Sequence, residues 1–360
     1  MTFSAAPDAA AADEIRGLAA RLCGRPVTTV AAVNGGGNNR LYRVTAGGAA
    51  FALKCYGAID ARGDRLGREF DGLSFLAERA VTAVPAAVAA DLAARAALYQ
   101  WIDGESAAAT DGGGGYVEQA LAFVAALRRV SRRSDSSDWR GEAAEACLSA
   151  AALRRQIAGR LERLQGLADE PMLANFLSLR LIPTQTLALQ RLQDLYAVAG
   201  LDPQADIPPA ARILSPSDFG FHNALRRPDG RLVFVDFEYF GWDDPVKLTA
   251  DFLWHPGMRL DDSARTAWAA GMAALFMDDP TFAVRLSAQI PLFALRWCLI
   301  ILNEFLPERR RRRVFAGQAA ADDNWSRIKA AQLTKADALL TRAVGPCGAA
   351  ASFSIFQPSA

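Results

Sequence analysis

Apolar residues recur along this chain with two different periods, and the change between them marks its organisation. From Val27 to Ile102 they fall in short runs of strand length. Val27–Val33, Leu41–Val44 and Ala50–Tyr56 are such runs, with Gly47-Gly48 as the turn before the third. β-Branched and aromatic residues bounded by glycines predict strands. Ala96–Ile102 reads as another strand, closed by Asp103-Gly104, and Val84 to Asp91 as an irregular connection. One helical segment interrupts this series: over Asp64–Arg79, Leu66, Phe70, Leu73 and Leu76 repeat at the spacing of a buried helix face. From Ser106 onward the helical period dominates. It predicts helices over Tyr116–Val130, Glu142–Leu167, Pro171–Val198, Asp262–Phe276, Pro280–Leu306 and Asn324–Ala343, with Pro171 and Pro183 as breaks.

The pattern predicts an α+β protein of two lobes. Residues 1–26 form a tail with a short helix, Asp13–Leu22, and residues 27–99 a small antiparallel β lobe with one main helix. Residues 100–104 are a hinge, 105–345 a larger and mostly helical lobe, and 346–360 a loose tail.

Within the helical lobe a single stretch breaks the period, ILSPSDFGFHNALRRPDGRLVFVDFEYFGWDDPVKLTADF from Ile213 to Phe252. Its apolar runs, Arg212–Leu214 and Leu232–Val235, suggest a small hairpin-like unit, with Pro228-Asp229-Gly230 as a turn. Asn223 follows Asp218 by five positions, and Asp236 ends the second run. Asp and Asn are common in turns for local reasons. They are also the hard-oxygen ligands and the proton acceptor that phosphoryl transfer requires.

Upstream, Asn34 to Asn39 holds Gly35, Gly36 and Gly37 between two strands, a loop able to turn successive N–H groups toward phosphates. Lys54 lies within an apolar strand, where an ammonium group calls for an anionic partner. Glu69 stands beside the apolar stripe of its helix, positioned to reach inward.

Composition removes several classes. Hydrophobic residues make up 51% and charged residues 22% of 360, the profile of a globular chain. A formal net charge of +1 gives no bulk attraction to nucleic acid. The five cysteines are scattered and never spaced as a metal or disulfide motif, which fits a reducing cytoplasm. The first residues lack a basic start and an apolar core, so no secretory signal is expected. The apolar stretch Ile290–Leu306 carries Arg296, Asn303 and Glu304 and reads as a buried helix, not a membrane span.

Taken in order, these segments resemble the aminoglycoside phosphotransferase and choline kinase family, the small-molecule branch of the protein-kinase-like fold, from about Val27 to Phe252. GGGNNRLYRV is similar to its Gly-rich loop, FALKCY carries its nucleotide lysine, and REFDGLSFL its paired acid. LYQWIDGES is similar to the hinge, SDFGFHN to the catalytic loop and FVDFEYFGWDDP to the metal-binding segment. Two departures stand out. The family's His-Gly-Asp is Pro216-Ser217-Asp218 here, and the acid expected soon after Asp244-Pro245 comes only at Asp251. Asp244 before Pro245 still reads as a helix start.

The resemblance implies a bilobal kinase that moves the γ-phosphate of ATP or GTP, with Mg²⁺, to a hydroxyl of a small molecule of aminoglycoside, sugar or amino alcohol type. It implies Asp218 as base, Asn223 and Asp236 as metal ligands, and Lys54 with Glu69 on the phosphates. Gly35, Gly36, Gly37 and Asn38 would cover the nucleotide, and Gln100, Trp101 and Ile102 would hold its base. A cationic substrate would meet Glu238, Asp243, Asp261 or Asp262, whereas Arg309–Arg313 would suit an acidic one. A monomer or weak homodimer is expected, with no nucleic-acid or membrane partner. Two rivals are a catalytically silent nucleotide binder of the same fold and a metal hydrolase built on Asp218, His222, Asp236 and Glu238.

Overall fold

The computed structural model describes residues 9–33, 39–59, 63–109, 115–167, 169–309 and 322–344. Gly35, Gly36, Gly37 and Asn38 lie outside the described residues, as do Arg310–Arg313 and the chain beyond Val344. The chain forms two compact units, one of Met1–Glu145 with Ile213–Trp242 and the other of Ala146–Arg212 with Asp243–Ala360.

The first unit is built on a five-stranded antiparallel sheet. Its strands are β1 (Val27–Val33), β2 (Asn39–Ala46), β3 (Ala49–Tyr56), β4 (Ala87–Asp91) and β5 (Ala96–Gln100), in the order β1-β2-β3-β5-β4. Gly47 and Gly48 join β2 to β3 with φ of 57° and 79°, the left-handed pair that a two-residue hairpin turn needs. Successive side chains on a strand point to opposite faces. Leu53 and Cys55 accordingly join a core with Ile15, Leu18 and Ala19 of helix α1 (Ala9–Cys23). Lys54 and Tyr56 face the other way, toward Glu69 of helix α2 (Arg65–Glu78). The N-terminal helix is therefore a wall of the sheet's core and longer than its sequence spacing suggested.

Two further differences from the sequence reading have local causes. Val84 to Asp91 is not wholly irregular, because Ala87–Asp91 pairs with β5. Its alanines carry little strand propensity, so only the partner strand makes it β. The hairpin around Pro228-Asp229-Gly230 is formed by β8 (Ala224–Arg226) and β9 (Leu232–Phe234), while β7 (Ile213–Ser215) pairs with the strand opening at Gly241. The near neighbour across the turn wins over the more apolar run further away. β6 (Glu105–Ser106) completes that three-stranded sheet. Helix α3 (Tyr116–Ser131) packs beside β7, with Leu214 N–H donating to Ser131 Oγ at 2.9 Å.

Gly241 sits where two backbones nearly touch. A Cβ there would lie 2.4 Å from Ala143 N, and no side-chain rotation relieves a clash with backbone. Gly241→Ala is expected to cost about 1–3 kcal/mol, the range for overpacking. Urea unfolding of the two proteins measures it, and equal midpoints would show that the 142–144 segment yields.

The second unit is helical, with α4 (Ala150–Gln165), α5 (Pro171–Phe176), α6 (Ile182–Ala199), α7 (Pro245–Trp254), α8 (Asp262–Leu275), α9 (Phe282–Ile301) and α10 (Asp322–Val344). Helix α9 packs against α4, α6, α7 and α10. The segment Phe282–Phe305 is long and apolar enough to cross a membrane, yet 89% of its apolar window is buried among these neighbours. Ser149 caps α4, so the helix begins later than the expected Glu142. Pro171 opens α5, as expected of a break, but Pro183 does not stop the chain's helical course. A π-helical turn, Leu177–Leu181, precedes it and loosens the ladder that a proline would otherwise clash with.

Asp244 caps α7 through Val246 N–H at 2.8 Å, with Pro245 first in the helix. Asp251 does not cap a helix start. It lies inside α7 and accepts from Lys247 at 3.1 Å, Arg296 at 3.2 Å and Trp297 Nε1 at 2.7 Å.

Candidate active site

Lys54 is the centre of a buried cluster of charge in the first unit. Its Nζ donates to Glu69 Oε2 and to Asp236 Oδ1, both at 2.6 Å, and stands 4.0 Å from Glu238 Oε2. Burial works against the ammonium charge, but the carboxylates of Asp236, Glu69 and Glu238 outweigh it and push the Lys54 pKa up. Lys54 is thus charged throughout the physiological range. Burial also raises the Glu69 carboxyl, against the pull of Lys54. Tyr56, two residues beyond Lys54 on the same face, donates to Glu69 Oε2 at 2.7 Å, and its hydroxyl lies 2.6 Å from that of Tyr99. Burial first, and Glu69 second, push both phenols up, so both remain neutral donors.

Glu238 closes the cluster from the other side. It is 2% exposed, accepts from Asn39 Nδ2 at 2.6 Å and lies 3.8 Å from Arg65 Nη1. Asn39 begins β2, directly after the Gly-rich stretch, so this bond fastens the end of that stretch to the segment after β9. Asp236 has φ of 68°, the left-handed region, which an aspartate enters more readily than most residues. One carboxylate atom each from Glu69, Asp236 and Glu238 lies within 4.8 Å of the others, an all-oxygen donor set of the kind hard divalent cations prefer.

The Asp218 loop is held by its aromatic residues. Phe219 stacks on Phe123 of α3 at 5.6 Å and packs at 4.8 Å from Phe234, while Phe221 meets Tyr116 edge-on at 5.9 Å. Ser217 has φ of 68°, a strained value for serine. Two hydrogen bonds offset the strain: Ser217 N–H donates to Ser215 Oγ at 3.0 Å and Ser217 Oγ to Ala144 O at 3.2 Å. Asp218 Oδ1 lies 3.0 Å from His222 Nε2. Asn223 Nδ2 donates to Asp218 O at 2.9 Å, which commits the nitrogen to the loop and leaves Oδ1 as the atom suited to a cation. Val235 N–H donates to Asn223 O at 2.9 Å, tying this loop to the Asp236 segment.

Lys54, Glu69 and Asp236 therefore meet directly, and Asp218 and Asn223 share one loop bonded to the residue before Asp236. Gln100 ends β5 with its N–H given to Ala86 O at 2.8 Å, so that amide is spent within the sheet. Trp101 Nε1 donates to Asp103 Oδ1 at 2.9 Å, and Ile102 is buried with Leu225 and Val233. Of the carboxylates suggested for a cationic substrate, Glu238 belongs to the Lys54 cluster and two others have partners of their own. Asp243 accepts from Lys247 at 3.0 Å and Cys147 N–H at 3.0 Å, Asp261 caps α8 at 2.7 Å, and Asp262 lies in that helix's first turn. Sequence reasoning missed Asn39, Tyr56, Arg65 and Tyr99. Tyr56 alone carried a signal, its two-residue offset from Lys54 on a strand.

Residues 29–281 match the model of the phosphotransferase enzyme family. No curated protein matches. Among solved structures, a spectinomycin phosphotransferase in complex with ADP and spectinomycin superposes with a TM-score of 0.58 at 14% identity, over 95% of this chain and 98% of that one. A choline kinase from Cryptosporidium parvum Iowa II gives 0.55 at 12% identity, over 91% and 93%. A type I macrolide 2'-phosphotransferase gives 0.54 at 18% identity, over 89% and 100%. The likeness is one of fold, and that fold is the one expected from the ordered motifs.

Proposed function

The chain belongs to the phosphotransferase enzyme family, and from that premise we propose that it transfers the γ-phosphate of ATP or GTP to a hydroxyl of a small molecule. The observation that carries the reading is Lys54 held at 2.6 Å by both Glu69 and Asp236, next to a loop that presents Asp218 and Asn223. Lys54, oriented by Glu69, binds phosphate oxygens. Asp218 accepts the proton of the attacking hydroxyl. Asn223 Oδ1 and Asp236 are hard-oxygen donors that would hold Mg²⁺, which when bound neutralises phosphate charge. The backbone at Trp101 and Ile102 holds the nucleotide base, and the Gly35–Asn38 stretch covers the phosphates. The acceptor belongs to the aminoglycoside, sugar or amino alcohol class, and the reaction takes place in the cytoplasm.

A thermal-shift screen with ATP, GTP and Mg²⁺ tests the nucleotide half, because a ligand that binds only the folded state raises apparent stability. Transfer assays over a panel of sugars, amino alcohols and aminoglycosides test the rest. Tight nucleotide binding without transfer to any acceptor would identify a silent binder of the same fold.

A further inference from the structure

We propose that His222 is the positioning residue for Asp218, acting as a hydrogen-bond donor that fixes the carboxylate; this rests on the phosphotransfer reading above. His222 Nε2 lies 3.0 Å from Asp218 Oδ1. An ionised carboxylate only accepts, so Nε2 carries the hydrogen of this bond and the neutral ring is the Nε2–H tautomer. The two residues are four apart in sequence, and the turn Phe221–Asn223 brings the ring back to the carboxylate. Packing holds that turn in place: Phe221 is buried against Tyr116, and Asn223 N–H donates to Gly220 O at 3.1 Å. The side chain of His222 is 14% exposed and that of Asp218 is 34% exposed, so the ring is the more buried member of the pair.

A short carboxylate rotates about two single bonds, and a base is effective only when it points at the proton it takes. The imidazole removes that rotation. In the step it serves, the acceptor hydroxyl gives its proton to the Asp218 carboxylate and its oxygen bonds to the γ-phosphorus. The bond from that phosphorus to the bridging oxygen breaks, and the nucleoside diphosphate leaves with the electron pair. Asp218 then returns its proton to solvent. His222 gains and loses nothing in this sequence; its contribution is orientation.

The test compares His222→Leu, which removes the donor, with His222→Gln, which restores an N–H. His222→Leu is expected to lower kcat by roughly tenfold to a hundredfold, the scale of a misplaced catalytic group, with nucleotide Kd unchanged. His222→Gln is expected to recover most of that loss. Nucleotide Kd also reports that each variant is folded. A His222→Leu protein turning over at the parental rate overturns the proposal, as does a Gln variant as slow as the Leu one, or a loss seen in nucleotide Kd instead of kcat. A second measurement needs no turnover. The chain has only two histidines, so ¹⁵N-histidine spectra of the parent and of His255→Gln assign both rings. His222 is expected as the Nε2–H tautomer, with that bias reduced in Asp218→Leu. Evenly mixed tautomers in the parent overturn the pairing. A parent without turnover on any acceptor refutes the phosphotransfer reading, and the tautomer result then decides the pairing alone.

Discussion

Asp218→Asn is expected to bind nucleotide as the parent does and to turn over about a hundredfold to ten-thousandfold more slowly, the cost of removing a positioned base. The amide keeps the shape of the carboxylate and cannot take a proton. The backbone carbonyl of Asp218, which accepts from Asn223 Nδ2 at 2.9 Å, is untouched, so the geometry around Asn223 persists. Phe219 and Phe221 anchor the loop independently of the carboxylate, so its fold persists too. The measurement is a single-turnover rate beside a nucleotide Kd, using an acceptor found by the panel. An Asn variant near the parental rate would remove Asp218 from its role.

Asp236→Asn should behave differently and lose both nucleotide affinity and turnover. The substitution keeps an oxygen but removes the charge, so it weakens the attraction to Mg²⁺ that a carboxylate supplies. The substitution is suited to the test because the Asp236 side chain is 38% exposed, while Lys54 keeps its bond to buried Glu69. At a ligand concentration of a hundred times Kd the parent gains about 2.7 kcal/mol of apparent stability, and the variant should gain almost none. Lys54→Ala should abolish the same shift, with an added loss of stability of about 3–5 kcal/mol because it strands a buried carboxylate at Glu69. If both variants respond to Mg-nucleotide as the parent does, the site has been wrongly placed. The contrast with Asp218→Asn separates a lost base from a lost ligand, a distinction general unfolding would erase.

Much of this arrangement is legible in the sequence because its components come in a fixed order. Lys54 in an apolar strand, Glu69 beside a helix stripe and Asp236 at a strand end each point to a partner. They meet at the Lys54 ammonium, which bonds to Glu69 of α2 and to Asp236 after β9. What stays hidden depends on register or on distance along the chain. Asn39 and Glu238 are 199 residues apart, and nothing local to either announces their bond. Tyr99 reaches Tyr56 only because β5 lies against β3, with Ala52 opposite Tyr99. The hairpin partner of Leu232–Phe234 escapes a reading that weighs apolarity above proximity. The ion pairs of Lys247 in α7 are invisible for the opposite reason: a lysine with two acids at helical spacing looks like a solvated face, and here it is 1% exposed.

The charges around Lys54 also govern how this region folds without a guest. Among the described residues, the cations Lys54 and Arg65 face the carboxylates Glu69, Asp236 and Glu238. The ammonium of Lys54 pairs with Asp236 as a tethered counterion. Chelation with EDTA is expected to leave the Tm where it was, and Mg²⁺ added by itself to move it little, since a free ion must evict that ammonium with no phosphate to receive it. Metal and nucleotide should instead arrive as a pair, each making room for the other. A Tm that falls on chelation would show that the fold depends on a cation after all.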